Sequence, residues 1–219
     1  MPAINFLSGC TVLCMSGVSL LLRDNSGKMQ KNISISLAAG ASIGGIAGKE
    51  LFNFIYEFIS RQRLFCVIQT VLLLSINIAV LLYFFFKTKV KHRNIEQPAV
   101  CVFVGLGLGV LSSFLGIGGG PFNIIILRLL FAMDTKKTYL NSLFIILCSQ
   151  IIGLFYSVIK NNIPVFQLHT LLLMCAGGIT GAVIGHLIYR KINIYSVERL
   201  FTWVLFFLIG INIYTLFTF

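Results

Sequence analysis

The sequence predicts an all-α polytopic membrane protein, and three observations predict it. Of its 219 residues 58% are hydrophobic and only 11% charged, with a mean hydropathy of +0.96, a balance no soluble domain shares. Apolar segments of about 20 residues, enough to cross a bilayer, recur along the whole chain, and the polar stretches between them are too short to fold alone. The third observation is Leu115-Gly116-Ile117-Gly118-Gly119-Gly120-Pro121-Phe122-Asn123, a glycine-rich break inside otherwise unbroken apolar sequence. Together they predict one multi-pass domain in the cell membrane with the lipid bilayer as its solvent.

The elements follow in order. Residues 4 to 22 form a first apolar helix, ended by the polar turn at 23 to 28. A second runs from about Ile33 to Tyr56 and carries Gly40, Gly44 and Gly48, whose four-residue spacing lines one helix face and lets another helix pack closely. A third runs from Leu64 to Phe86. The most basic loop of the chain comes next, Lys87-Thr88-Lys89-Val90-Lys91-His92-Arg93, closed by Gln97-Pro98. The broken segment at 99 to 133 precedes spans at about 139 to 159, 166 to 188 and 200 to 217. Cys10, Cys14, Cys66, Cys101, Cys148 and Cys175 lie in or beside spans with no CxxC pair, as small packing residues do.

The second half repeats the first. Gly177, Gly181 and Gly185 reproduce Gly40, Gly44 and Gly48 at an offset of 137; Arg63-Leu64-Phe65 and Ile76-Asn77-Ile78 return as Arg199-Leu200-Phe201 and Ile211-Asn212-Ile213. Internal duplication marks secondary transporters, whose sites lie at the repeat interface. The chain therefore divides into a first repeat at 1–86, a basic cytoplasmic loop at 87–98 and a second repeat at 99–219. The counterpart of the broken segment, about 40 residues, would fall before Met1. The expectation is that the start lies upstream, that the chain is a remnant, or that a partner chain or homo-oligomer supplies the piece.

Positive charge predicts how the broken segment threads. If it crosses once, the loop Lys and Arg divide eight against seven. If it enters and returns as a hairpin, Arg23, Lys28, Lys31, Lys87, Lys89, Lys91, Arg93, Lys136, Lys137, Arg190, Lys191 and Arg199 share one side, and Arg61, Arg63 and Lys160 the other. Twelve against three satisfies the positive-inside rule. The hairpin also makes the two helical repeats inverted, with a re-entrant or broken helix at the GIGGGP motif. The net charge of +11 is accounted for by these loops at an anionic membrane face, so no nucleic-acid partner is expected.

The break is where chemistry is expected. Irregular backbone at membrane depth survives only when buried in protein or lining a cavity, and discontinuous helices are where transporters bind substrate. Gly118, Gly119 and Gly120 let the main chain approach a ligand closely, and Pro121 suits the first position of a new helix. The amides and positive dipole end of that helix favour an anion. Asn123 in its first turn adds an amide. Asn141 and Ser142, opening the next span, are expected to line the same site, with Asn5 at the equivalent position of the first half. Ser149 and Gln150 are expected to bond between helices. Arg128 is expected to snorkel to the cytoplasmic interface, Lys49 and His186 to anchor helix ends, and His169 to sit wet at a span entrance.

An enzyme is not expected. The acids Asp24, Glu50, Glu57, Glu96, Asp134 and Glu198 lie mostly at loops or span ends, and HExxH, GxSxG and Walker-type motifs are absent. No cofactor or metal is implied. The run Phe114-Leu115-Gly116-Ile117-Gly118-Gly119-Gly120-Pro121, the downstream Leu140-Asn141-Ser142-Leu143 and the glycine-spaced helix together resemble the sulfite exporter TauE/SafE (TSUP) family, without its first glycine-rich element. Asn141-Ser142 stands where family members often show Thr-Ser. The resemblance implies a permease for a small anion, sulfite or an organosulfur or organic anion. Alternating access is the mechanism expected from the repeats. The alternative is an incomplete subunit or remnant of such a transporter with a structural role.

Overall fold

The computed structural model describes residues 2–22, 31–58, 62–86, 97–115, 119–133, 135–160, 166–191 and 194–218, and among them every regular element is an α-helix. They are α1 (Pro2–Leu21), α2 (Lys31–Phe58), α3 (Gln62–Phe86), α4 (Pro98–Leu115), α5 (Gly120–Phe131), α6 (Thr135–Ile159), α7 (Leu168–Lys191) and α8 (Ile194–Thr218). Six of these, α1, α3, α4, α6, α7 and α8, are long and apolar enough to cross a membrane. The 28-residue α2 has the length but carries Asn32, Ser34, Ser36, Ser42, Lys49, Glu50 and Asn53, and the 12-residue α5 is too short.

Glycine sets the tightest packing in the bundle. α2 and α4 make the most extensive contact of any helix pair because each presents backbone, not side chains, to the other along the glycine face. A Cβ added to Gly40, Gly44 or Gly48 would lie 2.1, 2.1 or 2.6 Å from the carbonyl oxygens of Val102, Leu106 and Val110. The fit is reciprocal, since a Cβ on Gly105 or Gly109 would lie 2.2 Å from Leu37 O or Ala41 O. Gly105 and Gly109 repeat the four-residue spacing, and that signal in the sequence marks α4 as the partner of α2. Such close approach gains van der Waals contact and Cα–H···O interactions where lipid gives no hydrophobic drive.

These contacts advance together along both chains, so α2 and α4 run parallel. The bonds between α2 and α6 also advance in step: Ser34 with Asn141, Ser149 Oγ donating to Ala41 O at 3.0 Å, Lys49 with Gly153 and Ser157, and Glu50 with Tyr156 and Lys160. α6 is therefore parallel to both. Ser149 bonds between helices as expected. Since α4 ends at one end of the bundle and α6 starts at the end where α4 began, the intervening α5 runs back. One face of α5 packs Phe122 and Ile125 with Phe65, Val80 and Tyr83 of α3, and the other packs Leu127 and Phe131 with Leu37, Ala41, Cys101 and Ile145. Its return ends at Ala132, whose φ of 47° is left-handed; Thr138 Oγ1 bonds Met133 O at 3.1 Å and secures the turn into α6.

The remaining large contacts are α1 with α6, α1 with α7 and α3 with α8. Exchanging α1 with α6, α2 with α7 and α3 with α8 carries each of these, and α2 with α6, onto a contact that is also present. The contacts of α4 and α5 have no counterpart. One expectation is corrected here. Gly177, Gly181 and Gly185 do not pack a helix, because a Cβ at any of them would meet nothing within 4 Å. α7 rests on α1 through Gly178 instead, opposite Thr11 and Met15.

Candidate functional site

The break is built from two helix ends. α4 stops at Leu115 with the carbonyls of its last turn unpaired within the helix, and side chains from two other helices reach them. Gln69 of α3 donates from Nε2 to the oxygens of Phe114 and Leu115, each at 3.3 Å, and Asn5 of α1 donates from Nδ2 to Ser113 O at 3.4 Å. Leaving such groups bare in hydrocarbon would cost about 2–7 kcal/mol apiece. Sequence reading missed Gln69; an amide in the middle of an apolar span was the available signal.

Gly118 lies outside the described residues, as do Gly116 and Ile117. Gly119 caps α5 in the left-handed region, φ 73° and ψ 7°, without a side-chain cap. An added Cβ there would meet Phe122 Cζ at 3.0 Å and Ser112 Oγ at 3.1 Å, so glycine is required both by conformation and by space. Gly120 and Pro121 open α5, and Asn123 N closes its first turn on Gly119 O at 3.0 Å. No acidic residue stands in that turn to offset the positive helix end. The Asn123 side chain is 2% exposed, and its Oδ1 has no hydrogen-bond partner among the described residues.

Gly119, Gly120, Pro121 and Asn123 are thus brought together at the start of α5. Asn141 and Ser142 are not brought to it. Asn141 is fully buried where α5 hands over to α6, with Oδ1 accepting from Ser34 Oγ and Nδ2 3.0 Å from Met133 Sδ; Ser142 is buried beside it in sequence. The 12 residues of α5, about 18 Å of helix, separate the two places. Of the repeat-related pair Asn5 and Asn141, the first is therefore the one beside the break.

One charged group differs from expectation. Lys49 does not anchor a helix end: it sits nine residues inside α2 and donates to Gly153 O at 2.6 Å and Ser157 Oγ at 2.9 Å. Its neighbour Glu50 accepts from Tyr156 Oη at 2.7 Å and Lys160 Nζ at 2.9 Å. The Lys160 amine is held above its ordinary range by Tyr156 first and Glu50 second. Arg128 is also paired. Its Nη1 pairs with Glu198 Oε1 at 3.0 Å, with the two side chains 18% and 14% exposed. This partner, 70 residues away in sequence, becomes visible only in the folded chain.

The sulfite exporter TauE/SafE family model matches residues 1–213 of the 219. The chain belongs to the sulfite exporter TauE/SafE family. It is a multi-pass membrane protein of a transporter family, with six helices long and apolar enough to span among its described residues. No curated protein and no solved structure matches the chain. The match takes in all of α1 to α7 and most of α8, so it covers both the α2–α4 pair and the break.

Proposed function

We propose that this TauE/SafE protein is a permease for a small anion, sulfite or an organosulfur or organic anion, which binds at the start of α5 and moves by alternating access between two inverted bundles. The observation that carries the reading is Asn123. A fully enclosed side-chain amide whose Oδ1 has no partner among the described residues, one turn into a helix that starts at a left-handed glycine, is a costly arrangement unless something completes it. Oxygen and nitrogen of such an amide are interchangeable by a flip, so the group can donate to an anion held at the amides of Gly119 and Gly120. The parallel run of α2, α4 and α6 supports the hairpin threading, with Lys31 and Lys137 toward the cytoplasm. The exchange relation among the helix contacts supports the inverted repeats at 1–86 and 99–219, joined by the loop at 87–98.

Flux of sulfite and of small sulfonates into proteoliposomes tests the reading. The wild type should pass at least one of them well above empty vesicles. Asn123→Leu, nearly isosteric and apolar, should lower that flux by about tenfold or more while leaving the folded protein intact, because it removes a charge-assisted hydrogen bond worth about 1.5–3 kcal/mol. Equal flux in the wild type and Asn123→Leu would move the site away from the break.

A further inference from the structure

Lys49 is a cation that the fold accommodates without neutralising. It is partly buried, and its two acceptors, Gly153 O and Ser157 Oγ, are both neutral groups of α6. Glu50 and Glu198 are engaged by Lys160 and Arg128, so no carboxylate pairs with Lys49 among the described residues. The titratable group within electrostatic reach from α1 is the Cys10 thiol, and on α6 it is Tyr156, whose hydroxyl is given to Glu50. Room for the amine comes from a missing side chain: a Cβ on Gly153 would lie 3.3 Å from Lys49 Cε and 3.5 Å from Nζ. An ammonium set among neutral acceptors inside a helix bundle is costly, and such a charge in a membrane protein points to function.

Its place in the bundle relates it to the break. Lys49 follows Gly48, where a Cβ would lie 2.6 Å from Val110 O and 3.0 Å from Ser113 Cβ, so it stands level with the last turn of α4. It shares a helix face with Gly45, where a Cβ would meet Ser149 Oγ at 2.8 Å and Ser113 Oγ at 3.5 Å. Small polar groups lead on from there: Ser113, whose carbonyl accepts from Asn5, and then Ser112, whose Oγ lies 3.1 Å from the Cβ position of Gly119. We infer that Lys49 is the charge-selecting residue of the permease, the cation that draws a small anion toward the break and turns cations away. The break joins two helix ends of opposite sign, the carbonyl end of α4 and the amide end of α5, and their dipole charges of about −0.5 and +0.5 nearly cancel. A unit charge beside them tips the balance to positive, as lysines and arginines do in anion-selective pores. Neutral acceptors suit this role, because they hold the amine in place and leave its charge to act, whereas a carboxylate partner would cancel it.

The inference rests on the permease reading and adds to it the residue that sets the sign of the substrate's charge. Concentration-dependent flux of sulfite and of methanesulfonate into proteoliposomes of the full chain tests it, with melting temperatures measured in parallel. Lys49→Met, which keeps an unbranched apolar stem, and Lys49→Gln, which keeps a donor for Gly153 O, both raise KM by about tenfold or more and change the maximal rate less, because they remove attraction that acts before and during binding alike. Neither lowers the melting temperature, since the charge removed had no counter-ion. Lys49→Arg keeps KM near the wild-type value because the charge remains. The inference is overturned if Lys49→Met and Lys49→Gln keep the wild-type KM, or if a folded Lys49→Arg is as weak as Lys49→Met. It is also overturned if KM worsens only together with a fall in melting temperature, which would make Lys49 a clamp between α2 and α6. Flux in the wild type with unchanged KM in the neutral variants removes the role of Lys49 alone, whereas no flux of either anion in the wild type removes the permease and this role with it.

Discussion

α2 and α7 carry the same glycine pattern at an offset of 137 and have opposite surroundings. On α2 every glycine of the pattern meets a backbone carbonyl of α4, at a distance that leaves no room for a methyl group. On α7 the same three positions face open space. The difference extends to the neighbouring helices. Gln69 of α3 supplies the donor for the end of α4, while the repeat places Leu205 or Val204 of α8 at the equivalent position, and both are apolar. A glycine face is therefore a capacity for close approach. Whether it is used depends on a second helix that offers its own backbone, as α4 does through Gly105 and Gly109.

The comparison can be broken most severely at its centre. Gly44→Leu should leave almost no folded protein in a detergent-solubilised preparation, because even its Cβ would fall 2.1 Å from Leu106 O and relief requires α2 and α4 to separate. Overpacking of this kind costs about 1–3 kcal/mol even where only side chains must shift, and more where backbone must. Recovery of Gly44→Leu at wild-type levels would mean that α2 and α4 are not in contact.

Gln69→Leu tests the same pair from the side and should have the next largest effect. It strips the carbonyls of Phe114 and Leu115 of a shared donor and should lower stability by about 1–3 kcal/mol, read as a fall in melting temperature. A reduced anion flux in the surviving protein would show that the end of α4 also positions the break. An unchanged melting temperature would place another donor there.

Gly119→Ala should cost about 1–2 kcal/mol through its positive φ, with Ser112 and Phe122 adding pressure, and should reduce flux more than it reduces the amount of folded protein. If fold and flux fall together, the glycine serves packing and not the ligand.

Gly181→Leu is expected to have the smallest effect, within about 0.5 kcal/mol of the wild type, as for surface positions without a partner. It sits at the same repeat position as Gly44, so the two leucine variants form a matched pair. A loss of folded protein in Gly181→Leu comparable to that in Gly44→Leu would mean that another helix covers this face of α7 in the membrane.

The sequence by itself determined the class, the helical segments and the position of the break. These follow from hydropathy, chain length and glycine spacing, which act locally and leave a local record. It also marked Gly119 and Pro121, since a left-handed cap and a proline-led helix are written in a few consecutive residues. What only the tertiary structure decided were relations between distant residues. Arg128 finds Glu198, Lys49 turns inward to Gly153 and Ser157, and Asn141 bonds Ser34 and Met133 at the far end of α5 from the break. The physical reason is the cost of an unpaired polar group in hydrocarbon. It requires that each such group find a partner, but which partner depends on the angle and register at which the helices meet. Between α2 and α4 those are set by two glycine faces fitting together, a condition that neither segment of sequence contains alone.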